Sequence, residues 1–172
     1  DGEGAAQPSA LFTGTELWVY YVTGRQLFMK ENIYRSRFSS DGSKRLGPPE
    51  SVKLEGFSPG LSLQNIQLVR LRCLEGGKSL FTMVANTREM NAIPFYLSFD
   101  GLNFKLASPN AIPYSGRNLL SPTQMPGPAS VEECHATSLS GVSTFRELLY
   151  AEQDPATSRW RLRQARVKLT FP

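Results

Sequence analysis

The chain has 172 residues, a net charge of +4 and a hydrophobic fraction of 40%. A chain of this length buries roughly two-thirds of its surface on folding, and this hydrophobic fraction is too high for disorder. Its longest apolar runs reach about six residues, too short to span a membrane, and its basic residues form no dense stripe of the kind that binds nucleic acid. We therefore expect one globular domain without a membrane span or a nucleic-acid partner.

The chain begins with residues 1–8, which are small and polar and which predict a flexible tether. The folded domain is then expected to cover residues 9–172. Its first unit, residues 9–57, contains four runs of β-branched and aromatic residues bounded by turn residues, which predict strands. A turn at Asp41 and Gly42 separates the last two of these runs, because glycine accepts the positive φ of a tight turn. The four runs are residues 8–12, 16–22, 32–38 and 51–54.

The same order recurs twice along the chain. The second unit, residues 58–112, has its own turn at Asp100 and Gly101 and predicts strands at 66–73, 80–85, 95–99 and 104–106. The third unit, residues 128–172, predicts strands at 134–139, 147–151, 160–165 and 167–169. Residues 108–129 are rich in proline, serine, asparagine and glycine and predict a long surface crossing between the last two units.

In the predicted second strand of each unit, the side chains that point to one face and those that point to the other are both apolar. This holds for LWVYYV at residues 17–22, for LFTMVA at 80–85 and for ELLYA at 147–151. A strand with one wet face alternates between apolar and polar residues, so these strands are expected to be covered on both faces. Blades of a β-propeller pack between two neighbours in this way. The predicted fold class is all-β and β-propeller-like, with about three four-stranded antiparallel blades.

Three blades are too few to close a propeller, which typically has four to eight. Two apolar faces would then lack a neighbour, and a monomer rarely exposes such patches. We expect the propeller to be completed by a partner chain, as a homodimer with two-fold symmetry, or to be part of a larger propeller. A compact sandwich or barrel remains the third possibility.

The first unit, with PSALFTGTELWVYYV at residues 8–22 and IYRSRFSSDG at 33–42, resembles the blades of five-bladed propeller glycosidases. FYLSFDGLNFKL at 95–106 resembles the same blade. Those enzymes act on arabinan, xylan and fructan. The resemblance implies a central funnel with acidic residues at the starts of the innermost strands, which act as general base, pKa modulator and general acid.

The catalytic acids of that family have no full counterpart in this sequence. Glycoside hydrolysis needs two carboxyl groups, one on either side of the scissile bond. The first inner strand begins with Pro8, Ser9 and Ala10, and the second has only neutral polar residues at 64–67. Only the third offers acids, Glu132 and Glu133, which are otherwise expected at a solvated strand entrance. We therefore assign no catalytic residue, although a partner chain would be able to contribute the second acid.

Four polar residues on predicted inner strands are the candidate ligand-binding residues: Asn65, Arg70, Glu133 and His135. His135 is the single histidine, and a hydrogen-bonded, half-buried strand residue is the alternative to a catalytic one. Two function hypotheses remain. The chain is a non-catalytic exported module, secreted, periplasmic or at the cell surface, that recognises carbohydrate or protein through its loop face. Otherwise it is a glycosidase-like enzyme completed by dimerisation or by missing sequence.

The cysteines, the histidine and the paired arginines give the remaining expectations about metal, disulfide and anion sites. Cys73, Cys134 and one histidine fit no metal spacing, so neither a metal site nor a cofactor is expected. The two cysteines form a disulfide if the protein is exported, or otherwise are buried, inert thiols. The arginine pairs at alternate positions are expected to be solvated, with an anion-binding site as the alternative; they are 35 and 37, 70 and 72, and 161 and 163.

Overall fold

The computed structural model describes residues 5–23, 32–56, 63–72, 79–87, 93–109, 120–122, 143–154 and 156–170. These residues form twelve β-strands in three sheets, and none of them lies in a helix. The described part therefore has no helix that could cross a membrane. The all-β prediction is confirmed for these residues.

Sheet 1 contains β1 (Ala5–Phe12), β2 (Glu16–Thr23), β3 (Asn32–Ser39) and β4 (Glu50–Ser51), paired in that order. Sheet 2 contains β5 (Lys53–Glu55), β6 (Leu63–Arg72), β7 (Ser79–Thr87), β8 (Phe95–Ser98) and β9 (Asn103–Ser108), paired in the order β5-β9-β8-β7-β6. Sheet 3 contains β10 (Leu120–Pro122), β11 (Ser143–Gln153) and β12 (Trp160–Thr170), paired in that order. Consecutive strands within each sheet pair antiparallel, whereas β5 pairs parallel with β9.

Sheet 2 lies in the middle of the stack, and its strand β7 is buried on both faces. Phe81, Met83 and Ala85 belong to a core shared with sheet 1. Leu80 and Val84, which alternate with them, belong to a second core that includes residues of sheet 3. Each fully buried apolar side chain of this size contributes about 1.5–3 kcal/mol. The prediction of two covered faces is confirmed for this strand.

The second strands of the outer sheets differ from β7, because each outer sheet has a neighbour on one side only among the described residues. In β2, Tyr20 and Val22 are buried against sheet 2, while Val19 and Tyr21 on the opposite face are half-exposed. In β11, Leu148 is buried against sheet 2 and Leu149 is half-exposed. Apolar residues on both faces of a strand are therefore not sufficient for both faces to be buried.

The predicted fourth strand of the first unit is divided between two sheets, which corrects the sequence-based boundary of 51–54. Glu50 and Ser51 pair with β3, whereas Lys53 to Glu55 pair with β9 of sheet 2. Between them, Val52 is buried and its amide donates to the carbonyl of Ile33 at 2.9 Å. The next amide, that of Lys53, donates to the carbonyl of Leu102 at 2.8 Å. The chain changes partner at this point, and the sequence alone gives no sign of the distant acceptor.

Three further boundaries differ from those expected. Strand β1 begins at Ala5, inside the stretch assigned to the tether, because Ala5 and Ala6 pair with Thr23 and Val22 of the longer strand β2. Strand β10 lies within the expected surface crossing and pairs with β11. Strand β12 is continuous where two strands were expected, since all eleven of its residues pair with β11. The expected strand at 134–139 and both cysteines lie outside the described residues.

Candidate functional site

The inner edges of the three sheets meet along one line. Strands β1, β6 and β10 each lie at one edge of their sheet, and β6 contacts both of the other two. The Ser9 hydroxyl of β1 accepts a hydrogen bond from the amide of Leu68 in β6 at 3.1 Å. β1 and β6 are the first strands of their units, and β10 takes the corresponding edge position in sheet 3, so their line of contact is the place where a central funnel would open.

The described inner strands contain no acidic residue. Their sequences are AAQPSALF, LQNIQLVRLR and LSP. Their polar residues apart from Arg70 and Arg72 are neutral hydrogen-bonding groups such as Ser9, Gln64 and Asn65. Glycoside hydrolysis needs two carboxyl groups, and these three strands by themselves supply neither.

Of the four predicted ligand-binding residues, the structure describes the side chain of one. Asn65 lies in β6, in an irregular stretch where the pairing with β7 shifts between Gln64 and Gln67, and its side chain is outside the described set. Glu133 and His135 also lie outside the described residues. Their roles stay predictions.

Arg70 connects sheet 1 to sheet 2. Its Nε donates to the hydroxyl of Ser79 at 2.8 Å, and its Nη1 donates to the carbonyl oxygen of Thr13 in the β1–β2 turn. Arg70 follows Asn65 by five positions, or about 16 Å along the strand. The two predicted residues are therefore at different ends of β6, and Arg70 lies at the end where it braces the two sheets.

A charged and aromatic cluster lies at that same end, between sheets 1 and 2, around Arg35. Arg35 is only 4% exposed, which corrects the expectation that this arginine is solvated. Its Nε and Nη2 donate to Oε2 of Glu50 at 3.1 and 3.0 Å, and its Nη1 donates to the carbonyl of Asp100 at 3.1 Å. Its guanidinium lies 4.0 Å from the ring centroid of Trp18, which in turn stacks on Phe81 at 5.3 Å. The buried charge of Arg35 is tolerated because it is paired with Glu50 and because its guanidinium packs on the Trp18 ring.

The turn of the second unit fits into this cluster. Asp100 accepts hydrogen bonds from Ser98, Leu102 and Asn103. Burial alone would raise the pKa of the Asp100 carboxyl, but the hydrogen bonds, foremost those from the Asn103 and Leu102 amides, hold that pKa well below its ordinary value. Gly101 follows with φ +70°.

The backbone at Gly101 lies directly under the cluster. The Tyr20 hydroxyl donates to the Gly101 carbonyl at 2.7 Å. Burial raises the pKa of Tyr20 more than the neighbouring Arg35 lowers it, so this hydroxyl remains a donor. A Cβ at position 101 would lie 2.6 Å from Trp18 Cζ3 and 2.7 Å from the Tyr20 oxygen. Only glycine fits there.

The sequence did not predict this cluster, because its members are far apart along the chain. The local signal for it is the alternation of Arg35 and Arg37, which places both side chains on one face of β3. Glu16 and Glu50 lie on the two flanking strands. Arg37 lies 3.6 Å from Glu16 Oε1 and 3.5 Å from Glu50 Oε2. Because the contacts of Arg35 are made within the chain, the cluster is a structural joint. Within the described ranges, no three His, Cys, Asp or Glu side chains are grouped so that they could hold a metal ion.

Comparisons with known proteins give a fold and no family. No protein-family model matches the chain, and no curated protein matches it in sequence. Among solved structures, an N-acetylgalactosamine deacetylase from F. plautii, in complex with blood group B trisaccharide, is similar at 12% identity and a TM-score of 0.59. The match covers 94% of this chain and 49% of that one.

Two further solved structures are similar. An endo-arabinase from Bacteroides thetaiotaomicron is similar at 13% identity and a TM-score of 0.51, over 99% of this chain and 58% of that one. A family 117 glycoside hydrolase from Zobellia galactanivorans, Zg3597, is similar at 10% identity, a TM-score of 0.46 and 95% and 66% coverage. The chain thus spans about half the length of the first two structures. Its fold is all-β and propeller-like, open within the described residues, and resembles the propellers of glycosidase-like proteins.

Proposed function

We propose that the chain is a non-catalytic, exported binding module that recognises carbohydrate at the open end of its inner strands. The observation that carries this proposal is the absence of acids from β1, β6 and β10 where these strands meet, beside neutral hydrogen-bonding residues. Two of the solved structures with this fold support a carbohydrate ligand, since one is an N-acetylgalactosamine deacetylase in complex with a trisaccharide and the other is an endo-arabinase. A protein ligand on the same loop face is the other form of this proposal.

The site is placed at the Asn65 end of β6, away from the Arg35 cluster. At the cluster end, Arg35, Glu50, Tyr20 and Asp100 bond to one another or to the backbone, which leaves them committed to the fold. At the Asn65 end, the irregular pairing of β6 with β7 interrupts the ladder, and bulges often redirect side chains beside functional sites. Asn65 is the proposed contact, with Glu133 and His135 as further predicted contacts from the third unit.

Binding and hydrolysis are separated by measuring both on the same preparation. The purified protein is applied to a glycan array containing arabinan oligosaccharides and blood group B trisaccharide, and reducing-sugar release from arabinan is followed in parallel. We expect carbohydrate binding without release. Asn65→Ala should weaken the binding, whereas Asn103→Ala, at the opposite end of sheet 2, should not. No binding to any glycan would contradict the carbohydrate form of the proposal.

A glycosidase-like enzyme is the second candidate, because Glu132 and Glu133 lie on the predicted third inner strand. Such an enzyme would need a second acid from a partner chain or from further sequence. Release of sugar that Glu133→Gln abolishes would establish this candidate and overturn the non-catalytic one.

Pairing with a second copy is proposed on the apolar outer face of sheet 1. The register of β1, β2 and β3 places Phe12, Leu17 and Phe38 on this face, followed by Tyr21 and Tyr34. Phe12 is 55% exposed there. Contiguous exposed apolar patches usually mark an interaction site. Light scattering should give twice the chain mass of 19.1 kDa. A monomer at micromolar concentration would contradict pairing.

A further inference from the structure

Strands β1 and β6 share one irregularity of pairing. In β1, the register shifts between Ala6 and Ser9, so that two residues of β1 lie opposite a single residue of β2. In β6, the register shifts in the same way between Gln64 and Gln67, opposite β7. Each irregularity is a β-bulge, because one strand of the pair carries an extra residue. Both bulges lie in the first strand of their unit, so they occupy equivalent places in the repeat.

The two bulges lie at the same end of their strands. The Ser9 hydroxyl accepts a hydrogen bond from the Leu68 amide at 3.1 Å, and further along the carbonyl of Thr13 accepts one from Arg70. Residue numbers rise in the same direction on both strands between these two contacts. Strands β1 and β6 therefore run side by side in parallel, and both bulges lie at the Asn65 end.

The bulges place two carboxamide residues at equivalent positions. The two residues of the β1 bulge are Gln7 and Pro8, and those of the β6 bulge are Asn65 and Ile66. The first position of each bulge is thus an amide, and the second is apolar. Bulges are over-represented beside functional sites, where they redirect side chains. The repetition of bulge and amide in neighbouring first strands therefore indicates a role for both amides together.

We propose that Gln7 is the counterpart of Asn65 in the carbohydrate site, and that these two residues, the amide pair, select an uncharged saccharide. This inference rests on the proposed function and adds to it a second contact and a substrate class. A carboxamide both donates and accepts hydrogen bonds, as the hydroxyl groups of a sugar do.

The charge of the surrounding strands supports an uncharged saccharide. Residues 5–9 and 63–67, which contain the two bulges, include no charged side chain. A carboxylate or sulfate group on a sugar is bound most strongly by arginine or lysine, and neither residue type occurs in these two stretches. The alternative is that both bulges only increase the twist of the inner strands, in which case the side chain at position 7 has no effect on binding.

The test measures glycan binding by the whole chain and by variants of the amide pair. On the neutral glycan of the array that binds most tightly, Gln7→Ala and Asn65→Ala should each weaken binding about tenfold, because each removes the hydrogen bonds of one carboxamide. Gln7→Glu keeps the size of the side chain but adds a charge, and it should weaken binding at least as much. Gln164→Ala, on the third strand of sheet 3, is the matched control and should change binding by less than about twofold.

The outcomes separate this inference from the proposed function. Full binding by Gln7→Ala would overturn this inference and leave the proposed function standing, whereas no binding to any glycan would overturn both. Oligogalacturonate and dextran sulfate represent sugars with carboxylate and sulfate groups. Tighter binding of either than of the neutral glycan would overturn the choice of an uncharged saccharide.

Amide exchange gives a readout that does not depend on any variant folding. In the unaltered chain, the bound neutral glycan should slow hydrogen exchange at both bulges, in residues 5–9 and in residues 63–67. Protection of the β6 bulge without protection of the β1 bulge would overturn the role of Gln7. Urea unfolding of Gln7→Ala should show unchanged stability, which separates a loss of binding from a loss of folding.

Discussion

Replacing Gly101 by alanine tests the joint between sheets 1 and 2. Two costs add. An alanine at φ +70° costs about 1–2 kcal/mol relative to glycine. The new Cβ would also lie 2.6 Å from Trp18 and 2.7 Å from Tyr20, and relieving such overpacking typically costs about 1–3 kcal/mol. The free energy of unfolding should therefore fall by about 2–5 kcal/mol.

Gly42 is the matched control for this prediction, because it occupies the equivalent turn of the first unit. Its φ of +74° imposes the same backbone cost, but a Cβ there would meet only Leu17 Cδ2, at an ordinary 3.5 Å. Gly42→Ala should cost about 1–2 kcal/mol. Gly47→Ala, where nothing lies within 4 Å, should be close to neutral.

Urea unfolding, followed by tryptophan fluorescence and circular dichroism, measures all three variants. The order of destabilisation should be Gly101, then Gly42, then Gly47. Losses in the free energy of unfolding that agree within about 0.5 kcal/mol for Gly101→Ala and Gly42→Ala would contradict this prediction. The Gly101 backbone would then not lie under the Trp18 and Tyr20 rings, and sheet 2 would not pack on sheet 1 in this way.

Three further perturbations follow from the same contacts. Glu50→Gln should lower the free energy of unfolding by about 2 kcal/mol, because buried Arg35 loses its charged partner. Glu55→Gln, in a solvent-exposed pair with Lys105, should lower it by only about 0–0.5 kcal/mol. Equal losses of stability for the two variants in urea unfolding would contradict the burial of Arg35. The pKa of Asp100 is lowered on folding, so its carboxylate stabilises the fold above its unfolded pKa of about 4, and this contribution is lost as the pH falls through its folded pKa. Asp100→Asn should therefore flatten the decline of the free energy of unfolding below about pH 5. An unchanged decline would argue against the hydrogen-bonded carboxylate. Leu148→Ala should cost about 2–5 kcal/mol in urea unfolding, since this side chain fills the core between sheets 2 and 3, and a loss below about 1 kcal/mol would mean that these sheets are not packed together.

Much of the strand order could be predicted from the sequence, because runs of β-branched and aromatic residues and the Asp-Gly turns are local signals. Strand β7 is the clearest case, since both alternating sets of its side chains are apolar and both are buried. The change of partner at Val52 could not be predicted, because it depends on acceptors at Ile33 and Leu102. The burial of Arg35 depends likewise on Glu50, Asp100 and Trp18 coming together only when two sheets pack.

The candidate site was less predictable than the fold. Arg70 had the polar character and the inner-strand position of a ligand contact, but position along the strand decides its role. At its end of β6, Arg70 donates to the Ser79 hydroxyl and to the carbonyl of Thr13. Composition places a residue on a strand but does not say which end of the strand faces a ligand.

Native-state hydrogen exchange tests the three-layer stack most directly. If sheet 2 lies between the other two, the amides of β7 should exchange only through global unfolding, whereas those of the exposed strand β12 should exchange orders of magnitude faster by local opening. Similar exchange rates for β7 and β12 would contradict the stacked arrangement of the three sheets.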